Sequence, residues 1–340
     1  MKTSDRKKDH VSLSISGNVD YQKTTGFEKY YFRHNALPEL DIADIDTSAE
    51  LLGRRFDFPL FISSMTGGYS EGGSVNGIIA TFCEQHNLPF GVGSQRVALE
   101  EQETRKSFEI VRKKAPTAFI AANIGGCQIA GGLKKQTLND LVEMIEANAL
   151  IVHLNPLQEL MQPEGDRDFR NILLGIREIC QLSEVPVIIK ETGAGISGPV
   201  AKKLITAGVS VIDIAGAGGT SWSRVENERT SNKNTMQSMF NEWGIPTVKC
   251  LQEIDELEQR DAIELIASGG IRDSFDIAKS ICMGANFTAA AQPVIKSIME
   301  EGLEGMNTLY NQLRKQLITI LVLLGKRKVS ELSKADLIAK

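Results

Sequence analysis

The sequence predicts an α/β protein folded as a (β/α)8 TIM barrel, on three observations. Short apolar segments alternate with helical ones from residue 58 to 291, a glycine or polar turn follows each apolar segment, and no linker divides the 340 residues. Alternating strands and helices imply a parallel sheet, and eight such units in about 250 residues match a closed barrel better than an open sheet. The chain therefore reads as one domain, 1–340, with an N-terminal extension (1–57) and C-terminal helices (295–340).

The first strand, residues 59–64, leads through Met65-Thr-Gly-Gly68 to a helix at 76–86. Strands at 88–94 and 117–123 precede helices at 100–114 and 138–148. The fourth strand, 149–154, ends at Asn155-Pro156, because proline has no N–H for a ladder and pushes its predecessor out of the helical region; a helix near 169–182 follows. Strand 185–190 leads to helix 198–207, and strands 209–215, 262–268 and 286–291 complete the eight, with a helix near 274–283 before the last. The Asn-, Ser- and Thr-rich stretch up to Asn241 reads as a mobile lid, a subunit contact or ordinary surface disorder. Periodic Leu, Ile and Met at 295–325 read as a helix packed on the barrel or on a partner subunit.

Charged residues make up 24% of the chain and the formal net charge is -5, which excludes a general nucleic-acid binder. Five cysteines carry no C-x-x-C pair, so neither a zinc site nor a disulfide framework is indicated, and a reducing cytoplasm fits best. The charged N-terminus has no apolar region after it and so is not a secretory signal, and the apolar run 317–324 is far short of the roughly 20 residues that cross a membrane.

In a (β/α)8 barrel the functional residues lie at the C-terminal ends of the strands. Ser64, Ser94, Asn123, His153, Lys190, Gly216, Gly269 and Ala290 all fall there. Ser268-Gly-Gly-Ile-Arg272 and Gly284-Ala-Asn-Phe-Thr-Ala-Ala-Ala291 lie at strands seven and eight, where backbone N–H groups commonly hold a phosphate. Lys190, at the end of an apolar strand, needs an anion, an electron-rich cofactor or a neighbouring carboxylate. Gly193-Ala-Gly195 and Gly216-Ala-Gly-Gly-Thr220 lack the G-x-G-x-x-G spacing of a dinucleotide fold. A mononucleotide held by one phosphate, flavin mononucleotide above all, is the cofactor this pattern suits. The fourth strand delivers His153, Asn155, Gln158 and Glu159; Glu159 offers a hard oxygen ligand for a divalent cation. The basic cluster Arg6-Lys7-Lys8-Asp9-His10 reads by itself as a solvated tail.

Taken together the motifs resemble the type 2, FMN-dependent isopentenyl-diphosphate delta-isomerases over nearly the whole chain. The residues that carry the likeness are Arg6-Lys7 with His10, Ser64-Met-Thr-Gly-Gly68, Gly93-Ser-Gln-Arg96, Asn123, His153-x-Asn155-x-x-Gln158-Glu159 through Gln162-Pro-Glu-Gly-Asp166, Lys190-Glu-Thr-Gly193 and Gly216-Ala-Gly-Gly-Thr-Ser-Trp222. The resemblance implies that Ser64, Met65, Thr66, Ser94, Asn123, Lys190, Thr220, Gly269, Gly270, Ile271, Ala290 and Ala291 surround FMN. It implies that Arg6, Lys7, His10, Ser94, Gln95, Arg96 and Gln158 hold substrate, that Glu159 holds Mg²⁺, and that His153, Asn155 and Gln158 shape the catalytic pocket. Ala215 has no hydroxyl where family members can carry serine, so one flavin contact there is left to the backbone.

The implied reaction moves one double bond between isopentenyl and dimethylallyl diphosphate. The family's reduced flavin, generated with NADPH as reductant, is understood to donate and accept the proton. The family also implies a cytoplasmic homo-oligomer, a tetramer or octamer. Two rivals share the barrel. An FMN-dependent hydroxy-acid oxidase or dehydrogenase needs a base, and such enzymes place His and Arg after strand six or seven; here those positions read Gly216-Ala-Gly-Gly-Thr and Gly269-Gly-Ile-Arg, without histidine. The other rival is a barrel that binds a phosphorylated ligand without turning it over.

Overall fold

The computed structural model describes residues 10, 12–15, 18–230 and 235–340. Eight parallel strands close into a barrel in sequence order: β1 (Leu60–Ile62), β2 (Phe90–Gly91), β3 (Ile120–Gly125), β4 (Ala149–Leu154), β5 (Val187–Glu191), β6 (Val211–Asp213), β7 (Glu264–Ala267) and β8 (Phe287–Ala290), with β8 paired to β1. Every strand lies within the range read from the sequence except β3 and β5, which run on to Gly125 and Glu191. β2 is the shortest. A side chain on Gly91 would come within 2.5 Å of Ser64 Oγ and 2.8 Å of Ile151, so glycine is what lets this strand lie against its neighbours.

Side chains two residues apart on a strand share a face. One inward layer is apolar: Phe61, Ala121, Ile151, Ile188, Val211, Ile266 and Ala289 pack together inside the barrel. Two residues further along each strand the inward positions become Ser63, Asn123, His153, Lys190, Asp213, Ser268 and Ala291. The same period that fills the barrel's interior thus lines its mouth with polar groups.

The extension before the barrel has structure that its irregular pattern does not announce. A hairpin of Ala49–Leu51 and Arg54–Phe56 closes the barrel's N-terminal end, with Leu51 and Phe56 in the interior cluster. Phe56 meets Phe119 and Phe287 edge-on at 5.8 and 5.7 Å. Tyr30–Phe32 pairs antiparallel with Leu337–Ala339, joining the two ends of the chain. Residues 19–25 cross the opposite rim, where Tyr21 N–H donates to Gly219, Ser221 N–H to Val19 and Val248 N–H to Thr25.

Among the described residues three α-helices stand between β6 and β7, the second of them the short Thr235–Ser238. Trp222–Arg229 packs on the short helix Pro156–Met161. The stretch 221–241, expected as a lid, a subunit contact or disorder, is therefore helical over Trp222–Arg229 and again over Thr235–Ser238, and its residues 231–234 lie outside the described residues. The third helix, Thr247–Asp255, was hidden in the sequence behind the polar stretch, although Val248, Leu251 and Ile254 are buried at helical spacing. The last long helix, Gln292–Leu324, is broken at Glu301 and Gly302 and packs against Ser274–Cys282 and Ser70–His86. Among the described residues no helix is long and apolar enough to cross a membrane.

Candidate functional site

The strand ends open into one cavity. Of the residues singled out from the sequence, His10, Ser64, Met65, Ser94, Arg96, Asn123, His153, Asn155, Gln158, Glu159, Lys190, Thr220, Gly269, Gly270, Ile271, Ala290 and Ala291 line it. Arg6 and Lys7 lie outside the described residues. Two side chains turn away from it. Gln95 is fully buried; its amide donates to the Leu141 carbonyl at 3.0 Å and accepts from Asn123 N–H at 2.9 Å. Thr66 is 2% exposed, and its hydroxyl donates to Asn76 Oδ1 at 2.6 Å. Both side chains brace the cavity's wall: a polar residue at a strand end looks the same in sequence whether it faces the mouth or the helix layer.

Gln95 begins a chain of orientation. It fixes the backbone of Asn123, whose Oδ1 lies 2.8 Å from His153 Nδ1 and selects the tautomer with the proton on that nitrogen. Downstream of β4, Asn155 precedes the helix that Pro156 opens, and its Nδ2 donates to Gln158 Oε1 at 3.1 Å and Glu159 Oε1 at 3.0 Å. Glu159 Oε2 accepts from Asp166 N–H at 2.8 Å. Arg167 donates to the carbonyls of Glu159 and Gln162 and so folds the loop back on the helix.

Among the described residues no set of three His, Cys, Asp or Glu side chains converges as a metal site. Glu159 stands as a single carboxylate. That suits a Mg²⁺ ion completed by water and by substrate phosphate, the usual arrangement for a cation that dehydrates reluctantly.

The sequence reading missed Glu226. Its carboxylate is fully buried beside the cavity and draws three parts of the chain together. His10 Nε2 lies 2.8 Å from Oε1, Gln162 Nε2 donates to Oε1 at 2.8 Å, Gln158 Nε2 approaches it at 3.4 Å, and Arg229 Nε donates to Oε2 at 2.9 Å. Arg229 also reaches Glu164 at 2.8 Å, and Trp222 packs edge-on against His10 at 5.1 Å. Burial alone would raise the Glu226 pKa, but His10, Arg229 and Gln162 reverse that and lower it to about 2. A charged residue in a polar helical stretch gives no sequence signal of such burial.

Three features test the fit of FMN. Ser64 Oγ is buried without a hydrogen-bond partner, an orphan that a ligand would satisfy. Gly269, at φ +91, approaches the Gly216 backbone so closely that a Cβ would stand 1.9 Å from its carbonyl oxygen, and a Cβ on Gly219 would stand 2.7 Å from Gly270 N. Glycine thus lets the loops after β6 and β7 interlock backbone to backbone, and Gly216, Gly219, Gly269 and Gly270 line the cavity as a cradle free of side chains. Arg272 borders it, donating to Gly218 O at 2.9 Å and pairing with Asp20 at 3.1 Å.

On β5, next to β6, Lys190 is 7% exposed; its Nζ donates to the Glu191 carbonyl at 2.6 Å and lies 3.9 Å from Asp213 Oδ2. Burial holds the Asp213 carboxyl above its ordinary pKa, opposed by Lys190 and by the Ser268 hydroxyl that donates to it. A cationic lysine, an orphan hydroxyl and a glycine cradle across one cavity fit a planar, phosphorylated, electron-rich group.

The comparisons with known proteins agree with this architecture. Residues 134–339 match the family described as FMN-dependent dehydrogenase. The chain is 47% identical over 343 residues to an isopentenyl-diphosphate delta-isomerase of Chlorobium luteolum, covering 97% of this chain and 94% of that one. It is 42% identical over 333 residues to the same-named protein of a Nostoc species, again covering 97% and 94%. In fold it is similar to a flavocytochrome b2 with sulfite bound, with a TM-score of 0.69 at 17% identity, covering 97% of this chain and 82% of that one. An active chimera of (S)-mandelate dehydrogenase gives 0.67 at 13% identity, covering 98% and 99%. Those two likenesses speak for the barrel alone. The agreement of full-length relatives in sequence is stronger, and by it this chain belongs to the isopentenyl-diphosphate delta-isomerase family.

Proposed function

We propose that the protein interconverts isopentenyl diphosphate and dimethylallyl diphosphate, adding a proton to one carbon and removing one from another with no net gain or loss of electrons. The observation that supports this reading is the polar ring at the barrel mouth, with the Glu159 carboxylate lining the same cavity. Reduced FMN, when bound, supplies the proton that the alkene takes up and receives the one it returns.

The chain's own residues bind, orient and exclude water. Ser64, Met65, Ser94, Asn123, Lys190, Thr220, Gly269, Gly270, Ile271, Ala290 and Ala291 hold the cofactor, Thr66 serves through the wall it braces, and Gly269 and Gly270 offer backbone N–H groups to the phosphate. Arg96, Ser94, His10 and Gln158 hold the diphosphate end, with Arg6 and Lys7 closing over it and Mg²⁺ on Glu159. Gln95 serves through the wall it braces. His153, Asn155 and Gln158 shape the space where a tertiary cation develops; Gln158 cannot titrate, and so positions rather than relays. A dry pocket matters here because an unactivated alkene is a weak base and its cation reacts with water.

The hydroxy-acid oxidase alternative is weaker, since Gly216 and Gly269 begin loops with no imidazole to act as base. NADPH as a reductant of the flavin, a cytoplasmic location and a homo-oligomeric assembly complete the proposal. Purified protein should be yellow and should isomerise the two diphosphates only after reduction by NADPH or dithionite. Full turnover with oxidised flavin and no reductant would refute the proposed chemistry.

A further inference from the structure

Two buried carboxylates flank Lys190, and they are satisfied in different ways. Glu191 follows Lys190 on β5 and so points to the other face. Its Oε2 accepts four consecutive backbone N–H groups, from Thr192 at 2.6 Å, Gly193 at 2.5 Å, Ala194, and Gly195 at 3.2 Å. The chain's own backbone neutralises that charge. Asp213 is different. It sits opposite Lys190 in the β5–β6 ladder and on the same inward face. Oδ1 takes the Ser268 hydroxyl and, at 3.3 Å, Ala215 N–H. Oδ2 has the Lys190 ammonium at 3.9 Å as its ionic neighbour.

A carboxylate that is 4% exposed needs a cation close by, and an ammonium that is 7% exposed needs an anion. Each meets the other's need. Burial outweighs the lysine, the hydroxyl and the N–H and raises the Asp213 pKa, but from an ordinary value about three units below neutrality.

We infer that Asp213 is a positioning residue that acts through Lys190, cancelling most of its charge so that the barrel mouth presents a tethered ion pair to the cofactor rather than a free cation. This rests on the proposed FMN site. Its consequence follows from the proposed reaction, in which one proton leaves the reduced cofactor and one returns. A group that must both give and take a proton works best when neither form is strongly favoured. An uncompensated lysine would hold the anionic reduced flavin and hinder its reprotonation. The Asp213 carboxylate restores the balance without touching the ligand.

The test compares Asp213→Asn with the parent holoenzyme. The redox midpoint of bound FMN is measured against a reference dye during dithionite titration, and the dissociation constant of oxidised FMN by recovery of free-flavin fluorescence. Two electrons and one proton convert oxidised FMN to its anionic reduced form. Removing one negative charge should increase the preference for reduced over oxidised FMN at least tenfold, equivalent to a rise of about 30 mV for this two-electron couple. Asp213→Glu, which keeps the charge, should stay within about threefold of the parent. Should the asparagine variant not fold, Asp213→Ser makes the same charge change with a smaller side chain that still accepts from Ser268.

A tenfold shift in the neutral variant alone supports the inference. An unchanged midpoint in a yellow Asp213→Asn protein overturns it and leaves the cofactor reading intact. An equal shift in Asp213→Glu also overturns it, because geometry and not charge would then be at work. A parent protein that binds no FMN overturns the cofactor reading first, and this inference with it.

Discussion

Glu226→Gln isolates the charge of the buried carboxylate that ties His10, Gln162 and Arg229 together. The amide keeps the shape, and it stands in for the protonated acid. A fall in pKa from 4.5 to about 2 means that the folded protein favours the ionised form over the neutral one. At about 1.4 kcal/mol per pH unit the difference is about 3 kcal/mol. Removing one member of a buried ion pair costs a similar amount, about 3–5 kcal/mol.

The sign follows from the lowered pKa: the stabilisation is complete above pH 4.5 and is lost as the pH falls through about 2. Urea unfolding followed by circular dichroism should therefore show the variant about 3 kcal/mol less stable at pH 7. The gap should narrow to about 2 kcal/mol at pH 3.5, because Glu226 is then protonated in the unfolded chain while the folded parent keeps it ionised. A variant within about 0.5 kcal/mol of the parent at pH 7 would show that the network holds no net charge and would refute the electrostatic argument.

Gln95→Leu should lower stability by about 1–3 kcal/mol, by leaving Asn123 N–H and the Leu141 carbonyl unpaired, with KM changed less than about twofold; a tenfold rise in KM at unchanged stability would put Gln95 on the substrate. Gly269→Ala should abolish FMN retention, seen as a colourless protein on gel filtration, because its Cβ would collide with the Gly216 carbonyl; a yellow variant of normal stability would remove the cradle from the site. Glu159→Gln should keep the flavin and lose Mg²⁺-dependent turnover, and unchanged Mg²⁺ dependence would leave Glu159 an ordinary loop carboxylate. Deleting residues 1–10 should leave the barrel folded and yellow while cutting kcat at least about tenfold, or about 1.4 kcal/mol of transition-state stabilisation; kinetics equal to the parent's would return the segment to a solvated tail.

The barrel was legible in the sequence because its signals are local. Each strand needs only a few apolar residues, and each ends where a glycine or Asn155-Pro156 breaks the pattern. The inward period of two then carried Asn123, His153 and Lys190 to the mouth, since residues two apart must share a face. Side-chain direction beyond the strand ends was not legible. Gln95 stands one residue beyond Ser94 in the same motif, yet Ser94 lines the cavity and Gln95 is buried in the wall, because local backbone turns decide which way each points.

Residues brought together from distant segments were hidden for a different reason. Glu226, His10, Gln162 and Arg229 meet only when the N-terminal segment, the loop after β4 and the helix after β6 pack over one rim. No spacing along the chain encodes that meeting. The sequence by itself determined the architecture and the end of the barrel where chemistry belongs, because hydrogen-bonded ladders and apolar alternation are properties of neighbours in the chain. Only the tertiary structure decided which charges are buried and what compensates them, because the cost of burying a charge depends on every group around it in space.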